Sequence, residues 1–215
     1  MSEPIDFELS DDAAELAQFD GWSEEVYRDL MAVRDNRMTV DEFGAKYIRQ
    51  VAILVLDLTG FTVTARNKGA VPSFLRILDA HRLCLPVLKD NDASFVRFFA
   101  DDVVALFDTA DQALDAALEI DRRTSSAPWL KDEAVPHAHC CIGLGFGSVY
   151  AIGPNRAMGD EMNRTSKLGE DIAAGGEILL TKGAFQALRD RADVDLEEQI
   201  VDDPLFTFYR VQDRA

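Results

Sequence analysis

The apolar run VAILVL, at residues 51–56, is followed directly by the polar turn DLTGFT at residues 57–62. A fully apolar run of this kind is typical of a buried central strand. Since a membrane-spanning helix needs roughly 18 apolar residues or more, a run of this length predicts a strand and not a span. The chain must therefore fold around a buried central strand that ends at Asp57.

Helical and strand patterns alternate after this strand. Residues 74–88 indicate a long helix, residues 94–107 a hairpin whose turn is 100–102, and residues 109–123 a second amphipathic helix. Residues 137–153 predict two strands around a glycine-rich connection. The residues that recur at helical spacing in the first helix are Phe74, Ile77, Leu78, His81 and Leu85.

The remaining elements complete the domain. A helix from about 160 to 173 ends at Gly175-Gly176, and a strand EILLT, a helix over 182–189 and a strand LFTFYRV follow it. The order β, α, β, β, α, β together with hairpins predicts an α+β fold. We expect a ferredoxin-like core whose mixed or antiparallel sheet has helices on one face.

Residues 1–46 differ from the rest, because they form an acidic tail followed by a helical extension, whereas residues 47–215 form the main domain. Helical spacing of apolar residues begins at Trp22, and a capping box of Thr39 and Glu42 opens a second short helix. We expect the extension to pack on the main domain or on a partner chain.

The chain carries 22 basic and 39 acidic residues among 215, a net charge of −17. The electrostatic field of this negative charge repels nucleic acid and anionic membrane surfaces, so we expect neither as a partner. A phosphorylated ligand would then need metal ions to offset its charge. The three cysteines lie in apolar stretches and the N-terminus has no apolar signal-peptide core, so we expect a reduced, cytoplasmic protein.

Two carboxylates, Asp57 and Asp101, each stand at the end of a predicted core strand. If the two strands are neighbours in the sheet, these carboxylates meet, and paired oxygen ligands suit Mg²⁺ or Mn²⁺ bound with a substrate's phosphates. The backbone N–H groups of the turn after Asp57 form a cradle for a polyphosphate. Taken alone, both residues are more typical of ordinary turns. Asp102 rivals Asp101 as the ligand.

Four motifs, in order, resemble those of class III nucleotidyl cyclases, the adenylate and guanylate cyclase family, over roughly residues 48–211. LVLDLTGFT matches the first metal motif, and RFFADDVVALF matches the second, with Asp101 as the ligand and Ala100 in place of a glycine. GLGFGSV matches the family's glycine-rich hairpin. GDEMNRTSK aligns Asn163 and Lys167 with the Asn that orients the ribose and the Arg that stabilises the transition state.

The resemblance implies a head-to-tail homodimer whose active sites lie at the interface. It also implies two divalent cations, Mn²⁺ or Mg²⁺, and a nucleoside triphosphate whose ribose 3′-OH attacks the α-phosphorus and expels pyrophosphate. One chain would supply the metal and phosphate ligands, and the other would supply Asn163, Lys167 and the base pocket. The first set is Asp57, Asp101, the Leu58 carbonyl and the turn backbone of Thr59, Gly60, Phe61 and Thr62.

The two positions that bind the base in the family hold Arg97 and Arg156 here. Arginine offers only donors, which suit the carbonyls of uracil or O6 and N7 of guanine and not the amino group of adenine. The short chain with its N-terminal extension also resembles the pyrimidine cyclases of bacterial anti-phage (Pycsar) systems. That implies UTP as substrate, cyclic UMP as product and a separate effector protein. The alternatives are an adenylate or guanylate cyclase and a degenerate domain that binds without turnover.

The sequence also differs from the family pattern at two positions that bind the phosphates of the substrate. Lys167 keeps the charge of the family's Arg but not its bidentate fork. The C-terminal segment lacks the Lys that many relatives use for the terminal phosphates, and Lys46, Arg49 and Arg210 are the candidates to replace it.

Overall fold

The computed structural model describes residues 9–19, 21–59, 66–127, 140–152, 157–199 and 207–213. The chain divides into two compact units, one of residues 1–49 with 150–158 and one of residues 50–149 with 159–215. The domain boundary expected between residues 46 and 47 stays a prediction.

The first unit is built from the helices α1 (Ala13–Leu16), α2 (Glu24–Arg34) and α3 (Val40–Tyr47). The predicted capping box opens α3, since the Thr39 hydroxyl accepts the Glu42 N–H and the Glu42 carboxylate accepts the Thr39 N–H at 2.8 Å. A small apolar cluster joins α2 and α3 to residues further along the chain. Its buried members are Val26, Phe43, Tyr47 and Ile152.

The second unit is organised around a mixed sheet. Its strands are β1 (Ile48–Leu58), β2 (Phe95–Phe99), β3 (Asp102–Phe107), β4 (Cys140–Ala151), β6 (Ile178–Leu180), β7 (Val194–Gln199) and β8 (Phe208–Asp213), and a short strand, β5 (Ala157–Met158), pairs with the last residues of β4. The strand order is β2-β3-β1-β4-β6-β8-β7. Strands β4 and β6 are parallel, while the pairs β1–β3, β2–β3, β6–β8 and β7–β8 are antiparallel.

The helices that accompany the sheet include α4 (Ala70–Asp90), α5 (Ala110–Ser126), α6 (Asp160–Ser166), which continues as a π-helical turn over Lys167–Ile172, and α7 (Lys182–Leu188). The succession β1, α4, β2, β3, α5, β4, with the sheet order β2-β3-β1-β4, is the ferredoxin-like arrangement. The predicted α+β fold, with its mixed sheet and N-terminal helices, is confirmed.

Helices cover both faces of the sheet, so the expectation of helices on one face was wrong. Alternate residues of β1, such as Leu54 and Leu56, join the core formed with α4 and α5. The intervening residues Ile53 and Val55 are equally buried, so the opposite face also needs a cover. The π-helical turn supplies it, and a Cβ on Gly169 would lie 2.6 Å from the Val55 carbonyl oxygen.

Glycines on β4 let this helix approach the strand backbone. A Cβ on Gly143 would meet the Thr165 carbonyl, and one on Gly145 would meet the Thr165 hydroxyl. The segment expected to form two strands around a glycine-rich connection is one continuous strand, β4. That expectation was wrong because these glycines serve close helix packing and not a turn.

Replacement of Gly169 by alanine should destabilise the protein by about 2–3 kcal/mol, because its Cβ would meet backbone atoms of two buried strands. Urea unfolding followed by circular dichroism measures the free energy. Gly44→Ala is the control, since that Cβ would meet the flexible end of the Ile48 side chain at 3.3 Å. Equal stability of the Gly169→Ala variant and the wild type would contradict the packing described for the π-helical turn.

Helix α4 forms where it was predicted, but the residues that identified it do not form its buried face. The apolar residues Val71, Phe74, Leu75 and Leu78 are 65, 60, 55 and 49% exposed, and we name them the exposed α4 face. Neither α4 nor another helix in the described ranges is long and apolar enough to cross a membrane. The buried residues of α4 are Ser73, Arg76, Ala80, Cys84, Val87 and Leu88.

Strand β7 was missed by the sequence analysis. It lies at one end of the strand order and pairs with β8, and its buried Val194 alternates with the exposed Asp195. The acidic residues that obscured the strand pattern are typical of edge strands, which natural proteins protect with charge.

Candidate active site

Asp57 is the penultimate residue of β1, and this strand positions its carboxylate. The β1–β3 register pairs Leu56 with Val103, so the next step places Asp57 opposite Asp102. Since Leu56 belongs to the core shared with α4 and α5, Asp57 points to the opposite face of the sheet. Two carboxylates that face each other across strands repel unless a cation lies between them.

The β2–β3 hairpin turns through Ala100 and Asp101. Asp102 was expected in the turn but is the first residue of β3, where it pairs with Phe99. Ala100 has a φ of 51°, a left-handed conformation that favours the glycine of the related motif. The His81 ring of α4 steadies the hairpin, with Nε2 at 3.0 Å from the Ala100 carbonyl oxygen.

Asp57, Asp101 and Asp102 converge, because a carboxylate oxygen of each lies within 4.8 Å of the others. Burial, followed by the charges of Asp101 and Asp102, raises the pKa of Asp57 to about 6. Burial and the Asp101 charge likewise raise the pKa of Asp102. Clustered, half-buried carboxylates are the hard oxygen donors that Mg²⁺ and Mn²⁺ prefer, so these residues fit a divalent cation.

Arg97 lies on β2 beside this cluster. The register pairs Arg97 with Val104, two residues from Asp102 on the same face of the sheet. Its half-buried side chain has a buried Nε with no hydrogen-bond partner among the described residues, and its charge opposes the rise in the pKa of Asp102. The predicted role of Arg97 in binding the base stays a prediction, and Arg156 lies outside the described residues.

The turn after Asp57 is described as far as Thr59, whereas Gly60, Phe61 and Thr62 lie outside the described residues. Leu58 ends β1 and is buried. Arg76 of α4, which is 7% exposed, donates from Nη2 to the Thr59 carbonyl at 2.6 Å. Sequence reasoning missed Arg76, because a lone arginine on an amphipathic helix is usually exposed.

Arg76→Met should lower the free energy of unfolding by about 2–3 kcal/mol, since the Thr59 carbonyl loses a charged donor in a buried position. Thermal and urea unfolding measure the loss. Arg82→Met is the matched control on the same helix, because its side chain is 73% exposed. A similar change in both variants would contradict an anchoring role for Arg76.

Asn163 and Lys167 are exposed and lie four residues apart along α6 and its π-helical continuation. The buried side of the same helix carries Met162, Thr165 and Leu168. The structure therefore directs Asn163 and Lys167 away from the sheet of their own chain.

The three candidates for the terminal phosphates all contact other protein groups. Lys46 pairs with Glu25 at 2.6 Å and with Asp29 at 2.7 Å. Arg210 pairs with Glu177 at 2.7 Å. Arg49 donates to the Ile48 carbonyl at 2.8 Å. These contacts do not distinguish the three, and the assignment stays a prediction.

Solved structures of nucleotide cyclase domains resemble this chain. The adenylate/guanylate cyclase/hydrolase from Silicibacter pomeroyi is 23% identical with a TM-score of 0.63, over 78% of this chain and 99% of that one. The guanylate cyclase domain of RhGC from Catenaria anguillulae, in complex with GTP, is 18% identical with a TM-score of 0.64, over 77% and 97%. The non-canonical dimeric guanylyl cyclase domain of the RhoGC fusion protein from the aquatic fungus Blastocladiella emersonii is 17% identical with a TM-score of 0.64, over 79% and 98%.

No protein-family model matches the sequence, and no curated protein matches it either. At these identities the structural matches establish the fold. The chain has the fold of adenylate and guanylate cyclase catalytic domains.

Proposed function

We propose that this chain is a nucleotidyl cyclase, which converts a nucleoside triphosphate to its 3′,5′-cyclic monophosphate and pyrophosphate. One observation carries the proposal: Asp57, Asp101 and Asp102 converge where β1 ends and the β2–β3 hairpin turns. The cyclase-domain fold around these carboxylates and the ordered motifs in the sequence support it.

Asp57 and Asp101, with Asp102 beside them and the Leu58 carbonyl, would hold two divalent cations, Mn²⁺ or Mg²⁺. When bound, the cations supply Lewis acidity toward the ribose 3′-OH and offset the triphosphate charge. The bond from O3′ to the α-phosphorus forms as the bond from the α-phosphorus to the leaving pyrophosphate oxygen breaks. The proton of the 3′-OH leaves to solvent.

Three further contacts act on the substrate. The turn backbone that begins at Thr59 binds the phosphates. Asn163 orients the ribose, and the Lys167 ammonium offsets charge that develops on the α-phosphate.

Each active site is shared by two copies of the chain in a head-to-tail homodimer. Asn163 and Lys167 lie on the exposed side of α6, which faces away from the sheet of their own chain. The exposed α4 face presents four large apolar side chains, an exposure that favours a protein contact. A non-canonical dimer of the RhoGC domain among the structural matches supports the pairing of two copies.

The substrate that we assign is UTP. The guanidinium of Arg97 offers only hydrogen-bond donors, and donors suit the carbonyl groups of uracil. The resemblance to pyrimidine cyclases supports the same choice. It also supports a role in bacterial anti-phage defence, in which a separate effector protein binds the cyclic UMP.

The test incubates the purified protein with ATP, GTP, CTP and UTP in the presence of Mn²⁺ and identifies the products by mass spectrometry. We expect cyclic UMP as the main product. Cyclic GMP or cyclic AMP as the main product would retain the cyclase and overturn the assignment of UTP. No product from any of the four nucleotides would overturn the cyclase itself and favour a domain that binds nucleotide without turnover.

A further inference from the structure

The carboxylate of Glu161 attaches the first turn of α6 to the sheet. Its Oε1 accepts hydrogen bonds from the Phe146 N–H of β4, at 3.1 Å, and from the Thr181 hydroxyl just before α7. The N-cap residue of this helix is Gly159, which has no side chain to accept a hydrogen bond from the first turn. Glu161 therefore links the start of α6 to two other elements of the unit.

The hydrogen bond from the Phe146 N–H to Glu161 satisfies a backbone donor that has no partner strand among the described residues. Strand β6 pairs with β4 from Ile142 to Leu144, where the Ile142 N–H donates to the Glu177 carbonyl and the Leu144 carbonyl accepts the Thr181 N–H. The N–H of Phe146 points to the same side of β4, but β6 has ended. An N–H left there without an acceptor costs free energy, and Glu161 supplies the acceptor.

Glycines on two elements leave room for this carboxylate. A Cβ on Gly147 would lie 2.9 Å from Glu161 Cγ and 3.1 Å from its Cβ. A Cβ on Gly145 or on Gly183 would lie 3.1 Å from Glu161 Oε1. The local sequence is therefore built to hold the side chain of Glu161 against the strand.

We infer that Glu161 is a positioning residue for the cyclase reaction, an inference that rests on the function proposed above. Residues of an α-helix advance about 100° each, so Asn163 lies about 200° around the helix from Glu161. Attachment of one side of α6 to β4 thus sets the direction in which Asn163, and Lys167 beyond it, project from the other side. A displacement of about 1 Å in such groups can cost on the order of 100-fold in rate.

The first test compares Glu161→Ala and Glu161→Gln with the wild type in steady-state kinetics. Loss of the acceptor should lower kcat about 100-fold while KM for the nucleotide changes less than about threefold, because the metal and phosphate ligands lie on other elements. Glutamine keeps an Oε1 that accepts both hydrogen bonds, so it should restore kcat to within about threefold. Equal loss in both variants, or no loss in Glu161→Ala, would overturn the inference.

Glu119→Ala is the matched control. Glu119 also accepts side-chain hydrogen bonds, two from Arg122 and one from Arg123, but it lies on α5, which covers the opposite face of the sheet. Its kcat should equal that of the wild type. A loss of kcat equal to that of Glu161→Ala would mean that general destabilisation explains both variants, and it would overturn the inference.

The second test does not depend on catalysis. Hydrogen–deuterium exchange should increase at residues 160–167 and at Phe146 in Glu161→Ala, and Gly147→Ala should produce the same pattern by displacing the carboxylate. In the double variant most of the effect of Gly147→Ala should disappear, since Glu161 Cγ, the atom nearest the added Cβ, is absent and only the contact with Glu161 Cβ remains. Unchanged exchange would overturn the inference even if the wild type is active. If the variants show increased exchange and the wild type forms no cyclic nucleotide, the result would instead count against the proposed function.

Discussion

Replacement of Asp57 by asparagine should lower cyclic nucleotide formation by about 1,000-fold or more while the fold stays intact. Asparagine keeps the shape of the side chain and a neutral acceptor for its neighbours, but it removes the negative charge that the cations require. The carboxylates of Asp101 and Asp102, within 4.8 Å, cannot restore the lost ligand from their own positions. Product quantified by mass spectrometry measures the loss.

The same substitution should raise the stability of the metal-free protein. Burial and neighbouring charges raise the pKa of Asp57 from its ordinary value of 3.8 to about 6, so ionisation of this group opposes folding. The folded state binds more protons than the unfolded state between about pH 4 and pH 6, and the stability of the wild type falls as pH rises through that window. After allowance for solvent screening, the variant should be about 1–2 kcal/mol more stable at about pH 8 and gain much less at about pH 4.

Unfolding in the presence of EDTA and in the presence of Mn²⁺ separates the two effects. Mn²⁺ should stabilise the wild type and leave the variant almost unchanged, because a ligand stabilises only the state that binds it. Asp108→Asn is the control, since Asp108 directly follows the opposite end of β3 and is exposed. If Asp57→Asn retains activity or responds to Mn²⁺ like the wild type, the assignment of Asp57 as a metal ligand is wrong.

Local chemistry explains why the positions of Asp57 and Asp101 at the ends of strands, and their meeting, could be predicted. A run that is apolar on both faces must be buried, and the polar turn after it leaves Asp57 at the end of the strand. The hairpin signal placed Asp101 in its turn in the same way. The involvement of Asp102 depends on the register of β1 with β3, which is decided by contacts between strands distant in sequence.

Pattern reasoning was less successful for α4 and β4, because their form depends on the elements that pack on them. Helical spacing identifies α4 but does not determine which side meets the sheet, and small residues such as Ala80 and Cys84 permit the close approach that decides it. The glycines of β4 are equally typical of a turn and of a strand that a helix approaches closely. Only the position of α6 distinguishes the two.

Arg76 and Glu161 could not be found from the sequence because each acts on a backbone group far along the chain. Arg76 reaches the carbonyl of Thr59, 17 residues away, and Glu161 reaches the N–H of Phe146, 15 residues away. Backbone groups carry no sequence signal, so such partners emerge only when the tertiary structure leaves a carbonyl or an N–H without a strand or helix partner.

A mixture of two inactive variants, Asp57→Asn and Asn163→Ala, should regain about a quarter of the wild-type activity when equal amounts exchange subunits. In the proposed head-to-tail dimer, each site takes Asp57 from one copy and Asn163 from the other. A heterodimer of the two variants therefore contains one intact site and one site with both defects. Random exchange makes half of the dimers heterodimers, and each of these has half of its sites active.

The control mixture combines Asp57→Asn with Asp101→Asn, two residues that lie within 4.8 Å in the same chain. Both sites of that heterodimer carry one defect, so no activity should return. Native mass spectrometry of differently tagged chains verifies that exchange has occurred in both mixtures. Recovery in neither mixture, with heterodimers present, would mean that Asn163 acts within its own chain, and the exposed side of α6 would then need a conformational change to reach the carboxylates.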